Sequence, residues 1–246
     1  MGQSRPAHGG RPGPVPDGVD PAEAETLVVN GLAAWQMLHR TARVAPGRVI
    51  LVHGANGGVG TTLIQLAGHH GVRVIGVAAP RHHDALRALG AEPVDYADLD
   101  RLAARVRELA PGGVDAVFDN IGGETLRRSW GLLARGGTLV SYAIAGRLAG
   151  GGSIVLAFAG LLTRLAGWNA LPNGRRARIY NVWAGHRRDR AAFRARTRDD
   201  LTAVLGLLAS GVLTAQIAAR LPLASAAQAM ELAESRAVPG KIILLP

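Results

Sequence analysis

The 246-residue sequence contains no cysteine, which excludes both a disulfide framework and a zinc site built on thiolates. Aromatic residues make up only 4% of the chain, whereas hydrophobic residues make up 48%. The hydrophobic residues fall in short runs separated by turn residues. This is the profile of a packed globular protein rather than of a disordered chain.

Long apolar runs are also scarce. The most apolar stretch, Ile154–Leu171, is interrupted by Arg164 and barely reaches the roughly 20 residues that a membrane span requires. We therefore predict a buried or interface helix there, and no membrane span. The start, Met1–Val15, lacks the apolar core of a signal peptide, which favours a cytoplasmic location.

Lysine is nearly absent, because Lys241 is the only one, yet the formal net charge is +10. The excess is therefore arginine, and much of it lies between Arg175 and Arg198. A basic surface can bind nucleic acid or a membrane. This stretch has little of the interleaved aromatic sequence that single-strand binders use, so we expect a solvated arginine face rather than a nucleic-acid-binding surface.

Strand-like and helix-like segments alternate from Val49 to Tyr142. Strict alternation predicts an α/β fold with a doubly wound parallel sheet of the Rossmann type. Beyond Gly152 the pattern loosens, and we predict a strand at 178–182, helices at 199–209 and 224–234, and a last strand at 241–245. The predicted parts are a flexible tail at 1–16, a helical junction segment at 17–45, the dinucleotide-binding Rossmann domain at 46–220, and a C-terminal helix and strand at 221–246 that resemble a remnant of a second domain.

A glycine-rich turn follows the first predicted strand and opens a helix. Gly54, Gly57 and Gly60 are spaced three residues apart, which suits close approach of the backbone to a pyrophosphate and tight packing of helix on strand. No lysine follows the last glycine, so the turn is not a P-loop. The candidate cofactor-binding residues of the turn are Gly54, Asn56, Gly57, Gly58, Val59 and Gly60.

The end of the second predicted strand indicates which dinucleotide binds. NAD enzymes usually place an acidic residue there for the ribose hydroxyls. Here Arg81 comes first, and no acid occurs before Asp84. Arg81 can pair with a 2′-phosphate through charge-assisted hydrogen bonds, so the sequence predicts NADP(H) rather than NAD.

Five short motifs together carry a resemblance to a known family. They are Gly54–Gly60, Leu89–Tyr96, Val117–Gly123, Leu133–Gly137 and Gly240–Pro246. From about Val15 to Pro246 the sequence resembles the medium-chain dehydrogenase/reductase superfamily, in its zinc-free quinone oxidoreductase-like branch. This combination of motifs is more specific than the glycine turn alone.

The resemblance implies an NADPH-dependent oxidoreductase that acts on quinones, enones or related carbonyl compounds. Hydride would pass directly to the small-molecule substrate, without a metal ion. Position by position, Arg81 and Tyr96 match residues at the adenosine end of the cofactor. Asn120 matches a cofactor contact after the fourth strand, and Ala143 and Ala145 match positions near the nicotinamide.

The start of the chain departs from the family pattern. Family members begin with a GroES-like catalytic domain, whereas only a short Gly- and Pro-rich stretch precedes Val15 here. We therefore expect a substrate cleft with one wall missing, and apolar surface that favours a homo-oligomer or a partner chain. The alternative is a non-catalytic NADP(H)-binding module that acts as a sensor or subunit.

No catalytic residue is assigned from the sequence. Asp119 follows a strand, where a carboxylate more often holds loop backbone than transfers a proton. Neighbouring histidines, such as His69 and His70, point to different faces of a helix, so no metal site is expected.

Overall fold

Six parallel strands form the central sheet of the computed structural model, which describes residues 15–142, 154–235 and 240–246. The strand order is β3-β2-β1-β4-β5-β6, so the order reverses between β1 and β4. This confirms the predicted doubly wound Rossmann-type sheet, with a crevice expected at the switch point. The strands are β1 Val49–His53, β2 Arg73–Val77, β3 Ala91–Val94, β4 Val114–Asp119, β5 Leu133–Ser141 and β6 Arg176–Ile179.

Helices cover both faces of this sheet. Ile50 and Phe118 face one hydrophobic cluster, whereas Leu51 and Val117 face the other. All four side chains are fully buried, which explains why the strands read as continuous apolar runs. The helices are α1 Pro21–Trp35, α2 Gly58–His69, α3 His83–Ala88, α4 Leu99–Leu109, α5 Gly123–Leu132, α6 Ile154–Asn169, α7 Arg190–Ala209 and α8 Ala226–Ser235.

The junction segment is one continuous helical unit. Asp20 caps α1 by accepting a hydrogen bond from the amide of Ala22 at 2.9 Å. Helix α1 runs through Asn30 and Gly31 to Trp35 and continues as a π-helix over Gln36–Ala42. A Cβ on Gly31 would lie 2.6 Å from Val204, so this glycine allows α1 to pack closely on α7.

A buried polar network ties the π-helix to the rest of the domain. Gln36 Nε2 donates to Asp200 at 2.8 Å, and Arg40 Nε donates to the same carboxylate at 2.9 Å. The Tyr180 hydroxyl donates to Gln36 Oε1 at 3.0 Å. Burial and the nearby Asp200 charge raise the pKa of Tyr180 to about 12. The junction segment is therefore fixed to the sheet by specific contacts as well as by apolar packing.

Helix α7 begins at Arg190 rather than at the predicted residue 199. Asp189 caps it by accepting a hydrogen bond from the amide of Ala192. The first half of α7 carries exposed arginines and little apolar periodicity, so its sequence gives no amphipathic signal. In the part of the chain that the structure describes, no helix is both long and apolar enough to cross a bilayer.

A second, two-stranded sheet follows α7. Strand β7, Ile217–Pro222, pairs in parallel with β8, Lys241–Leu245, and α8 connects them. Strand β7 was not predicted, because alanine, arginine and proline weaken its strand pattern. The predicted domain boundary at residue 221 falls inside strand β7. The division of the chain into two domains at that residue remains a prediction. Residues 1–14 of the predicted tail at 1–16 lie outside the described residues.

Candidate functional site

The glycine turn lies at the carboxyl end of β1. Gly54 has a φ of 61°, a left-handed conformation that favours glycine. A Cβ on Gly60 would lie 2.5 Å from the Gly54 carbonyl oxygen and 2.7 Å from Ala55 Cα. The turn and the first turn of α2 can therefore approach each other only because Gly60 has no side chain.

The amino end of α2 provides backbone N–H groups without a side-chain cap. Its N-cap residue is Gly57, and no side chain accepts a hydrogen bond there. Free first-turn amides and the helix dipole favour an anion at such an end. With the glycines beside it, this end of α2 has the geometry of a phosphate-binding site.

A cavity of about 620 Å³ extends along this edge of the sheet. Its volume is in the range typical of sites for small molecules and cofactors. Six residues predicted from the sequence line it, namely Gly54, Asn56, Gly57, Gly58, Arg81 and Tyr96. The structure thus brings the glycine turn and the end of β2 together around one cavity.

The remaining predicted residues are placed differently. Val59 and Gly60 lie in the first turn of α2 but do not line the cavity. The carboxamide of Asn120 packs on Gly54, whose Cβ would lie 2.6 Å from Asn120 Nδ2. Ala143 and Ala145 lie outside the described residues.

Sequence reasoning missed several residues of the cavity wall. They are Asn30, His53, His82, Thr125, Gly240 and Lys241. His82 had a weak signal, because it directly follows Arg81. Lys241 lies in the Gly240–Pro246 motif, but that motif gave no reason to place it at the cavity. Asn30 and Lys241 are distant from the glycine turn in sequence and reach it only through the fold.

The end of β2 supplies positive charge to the cavity. Arg81 is exposed, and none of the ion pairs between described residues involves it. His82 beside it is half-buried; burial lowers its pKa, and the charges of Arg81 and His83 lower it further. An arginine without an acidic partner at this position suits an anionic group of a ligand.

Buried polar side chains underlie the strand ends. His53 Nε2 and Ser129 Oγ are 2.7 Å apart and hydrogen-bonded. Burial lowers the pKa of His53, although the charge of Asp119 opposes this shift. Asp119 Oδ1 accepts hydrogen bonds from the amides of Ile121 and Gly122, at 3.0 and 2.6 Å. Asp119 therefore holds loop backbone, as the sequence suggested.

Three buried polar atoms lack a hydrogen-bond partner among the described residues at the ends of β4 and β5. They are Asp119 Oδ2, Asn120 Oδ1 and the Tyr142 hydroxyl. Burial raises the pKa of Tyr142, and the Asp119 charge raises it further. Unpaired buried polar atoms are costly, so their concentration here suits a site that is completed by a bound polar molecule. In the described ranges, no group of three or more His, Cys, Asp or Glu side chains could hold a metal ion.

Comparisons with known proteins agree with this geometry. Residues 89–244 match the family model described as zinc-binding dehydrogenase. A 2-haloacrylate reductase from a Burkholderia species is 31% identical over 93% of this chain and 64% of its own length. The chain spans between 35% and 64% of the first three curated relatives that it matches.

Solved structures with the same fold include an NADPH complex and a quinone oxidoreductase. A mycobacterial protein complexed with NADPH is 28% identical, with a TM-score of 0.74 over 94% of this chain and 66% of that one. A quinone oxidoreductase of Pseudomonas syringae is also 28% identical, with a TM-score of 0.73 and the same coverage. The chain belongs to the zinc-binding dehydrogenase family, within the medium-chain dehydrogenase/reductase superfamily, and resembles its quinone oxidoreductase-like members.

Proposed function

We propose that this chain binds NADP(H) in the 620 Å³ cavity and takes part in NADPH-dependent reduction of quinones, enones or related activated carbonyl compounds. The observation that carries the proposal is the continuity of this cavity. It joins an uncapped helix N-terminus at Gly57 to an arginine without an acidic partner at Arg81. The relatives named as a quinone oxidoreductase and a 2-haloacrylate reductase support the substrate class.

The residues present fit a dinucleotide. The first turn of α2 would hold the pyrophosphate, and Gly60 keeps that turn against the strand end. Arg81, with His82 beside it, would hold the 2′-phosphate that distinguishes NADP from NAD. Asn120, which packs on Gly54 at the end of the glycine turn, would lie beside the nicotinamide half. The cofactor itself would supply the hydride.

We further propose that the reaction needs no metal ion. The sequence has no cysteine, and the described residues present no cluster of metal-ligating side chains. The protein's contribution would then be to position the two reactants and to exclude water. The predicted association with a second copy or a partner chain is a separate proposal, measurable by size-exclusion chromatography.

The activity is tested by measuring NADPH oxidation with a panel of quinones and enones, and with saturated ketones as controls. We expect turnover with the activated acceptors, and much less turnover with the saturated ketones. NADPH binding without any turnover would overturn the enzymatic proposal and favour a non-catalytic binding module. Turnover that requires added zinc, and stops with a chelator, would overturn the metal-free mechanism.

A further inference from the structure

Lys241 reaches the cofactor cavity from outside the Rossmann sheet. It is the first residue of β8 and the only lysine of the chain, and it lines the cavity together with Gly240. Its amide donates to the Gln216 carbonyl oxygen at 2.7 Å, which fixes its backbone beside β7. The second sheet therefore contributes a cation to the wall of the proposed NADP(H) site.

The junction helix α1 borders the same space. Asn30 of α1 lies over the start of α2, since a Cβ on Gly58 would lie 2.2 Å from Asn30 Nδ2. A second, smaller cavity is also lined by Asn30, Gly58 and Lys241, together with Thr61. Lys241 and the first turn of α2 thus line two sides of the same cavity.

The side chain of Lys241 is held by an interaction that can be exchanged. Its Nζ lies 3.0 and 3.2 Å from the two carboxylate oxygens of Glu25. The Glu25 side chain is 56% exposed, and an ion pair this accessible to water contributes little to stability. A lysine has three donors on a flexible stem, so it can turn from one anion to another.

The proposed pyrophosphate site at the glycine turn still needs a positively charged side chain. A pyrophosphate carries negative charge, but the first turn of α2 has no lysine or arginine of its own. We propose that Lys241 leaves Glu25 and binds the pyrophosphate when the dinucleotide enters, so that the second sheet completes the cofactor site. This inference rests on the proposed NADP(H) binding.

Lys241 and Arg81 then have separable roles. The pyrophosphate is common to NADPH and NADH, so Lys241 increases the affinity for both. Arg81 would act on the 2′-phosphate and therefore on NADPH alone. Glu25 competes for Lys241, so removing its charge frees the lysine and increases affinity.

The test measures NADPH and NADH binding by calorimetry for the wild type and for Lys241→Gln, Lys241→Arg and Glu25→Gln. We expect Lys241→Gln to weaken both nucleotides about tenfold, as for loss of one charge-assisted contact, and Lys241→Arg to restore most of the affinity. Glu25→Gln should increase the affinity for both nucleotides. Lys241→Gln and Glu25→Gln break the same ion pair. If this ion pair only stabilised the fold, the two variants would lose the same amount of thermal stability.

Two results would overturn the inference, in different ways. If the wild type binds NADPH, and Lys241→Gln binds both nucleotides as tightly as the wild type does, then Lys241 is only part of a structural ion pair with Glu25. The same conclusion follows if Glu25→Gln weakens binding as much as Lys241→Gln. If the wild type binds neither nucleotide, the proposed function itself fails, and the role of Lys241 fails with it.

Discussion

The two sheets of this protein differ in how they are stabilised. In β1 of the large sheet, Ile50, Leu51 and Val52 are fully buried between layers of helices. In β8 of the small sheet, Ile243 is buried but Leu244 and Leu245 are each 39% exposed. A two-stranded sheet is marginal by itself, so the small sheet depends on its attachments.

Two exposed ion pairs attach the small sheet to α1 and to its N-cap residue. Arg220 of β7 pairs with Asp20, and Lys241 of β8 pairs with Glu25. Exposed pairs of this kind contribute little each. The small sheet is therefore held more lightly than the large sheet, and its charges are available to a ligand.

The largest expected difference between the sheets is in the cost of removing a side chain. Phe118→Ala in the large sheet should lower the free energy of unfolding by about 3–5 kcal/mol, because Phe118 is fully buried. Leu244→Ala in the small sheet should cost less than about 1 kcal/mol. Urea denaturation of both variants measures this, and equal losses would show that the small sheet is as well packed as the large one.

A smaller effect distinguishes two glycines of the same helix, α2. Gly60→Ala should cost about 1–3 kcal/mol and weaken NADPH binding, because its Cβ would meet backbone atoms of the glycine turn. Gly68→Ala, which meets nothing within 4 Å, should stabilise the protein by about 0.5–1 kcal/mol. Denaturation and calorimetry on this matched pair check the role of Gly60. A Gly60→Ala variant with unchanged stability and binding would contradict it.

The smallest effect concerns pH and the buried His53. Burial lowers its pKa from the usual 6.5, so the unfolded chain binds its proton first as pH falls. Stability from this group is present above about pH 6.5 and is lost below it, by up to about 1.4 kcal/mol per pH unit. His53→Gln can keep a hydrogen bond to Ser129 without titrating, so its stability should fall less between pH 7.5 and pH 5. Parallel losses in both proteins would rule out His53 as the source.

The difference between the sheets also explains what the sequence could predict. Continuous apolar runs such as Val49–Val52, and turn glycines such as Gly54, are local signals that predict the large sheet and its glycine turn. Strand β7 and the first half of α7 are rich in alanine and arginine, so they carry no clear periodicity.

The candidate site was predictable only where it follows the strand ends. Arg81 and Tyr96 lie within four residues of the ends of β2 and β3, where a parallel sheet collects its ligand contacts. Asn30 and Lys241 come from opposite ends of the chain and meet the turn through tertiary packing. The motif that contains Lys241, Gly240–Pro246, does not indicate what Lys241 contacts, so only the fold places both residues at the cavity.

The central claim is that the cavity along the sheet edge binds NADP(H) through the glycine turn and Arg81. Its most direct test is calorimetry of NADPH and NADH on the wild type and on Arg81→Ala, with the exposed Arg194→Ala as a matched control. We predict that the wild type and the control bind NADPH at least about tenfold more tightly than NADH, and that Arg81→Ala loses this preference. Equal affinities in the wild type, or no binding of either nucleotide, would contradict the account.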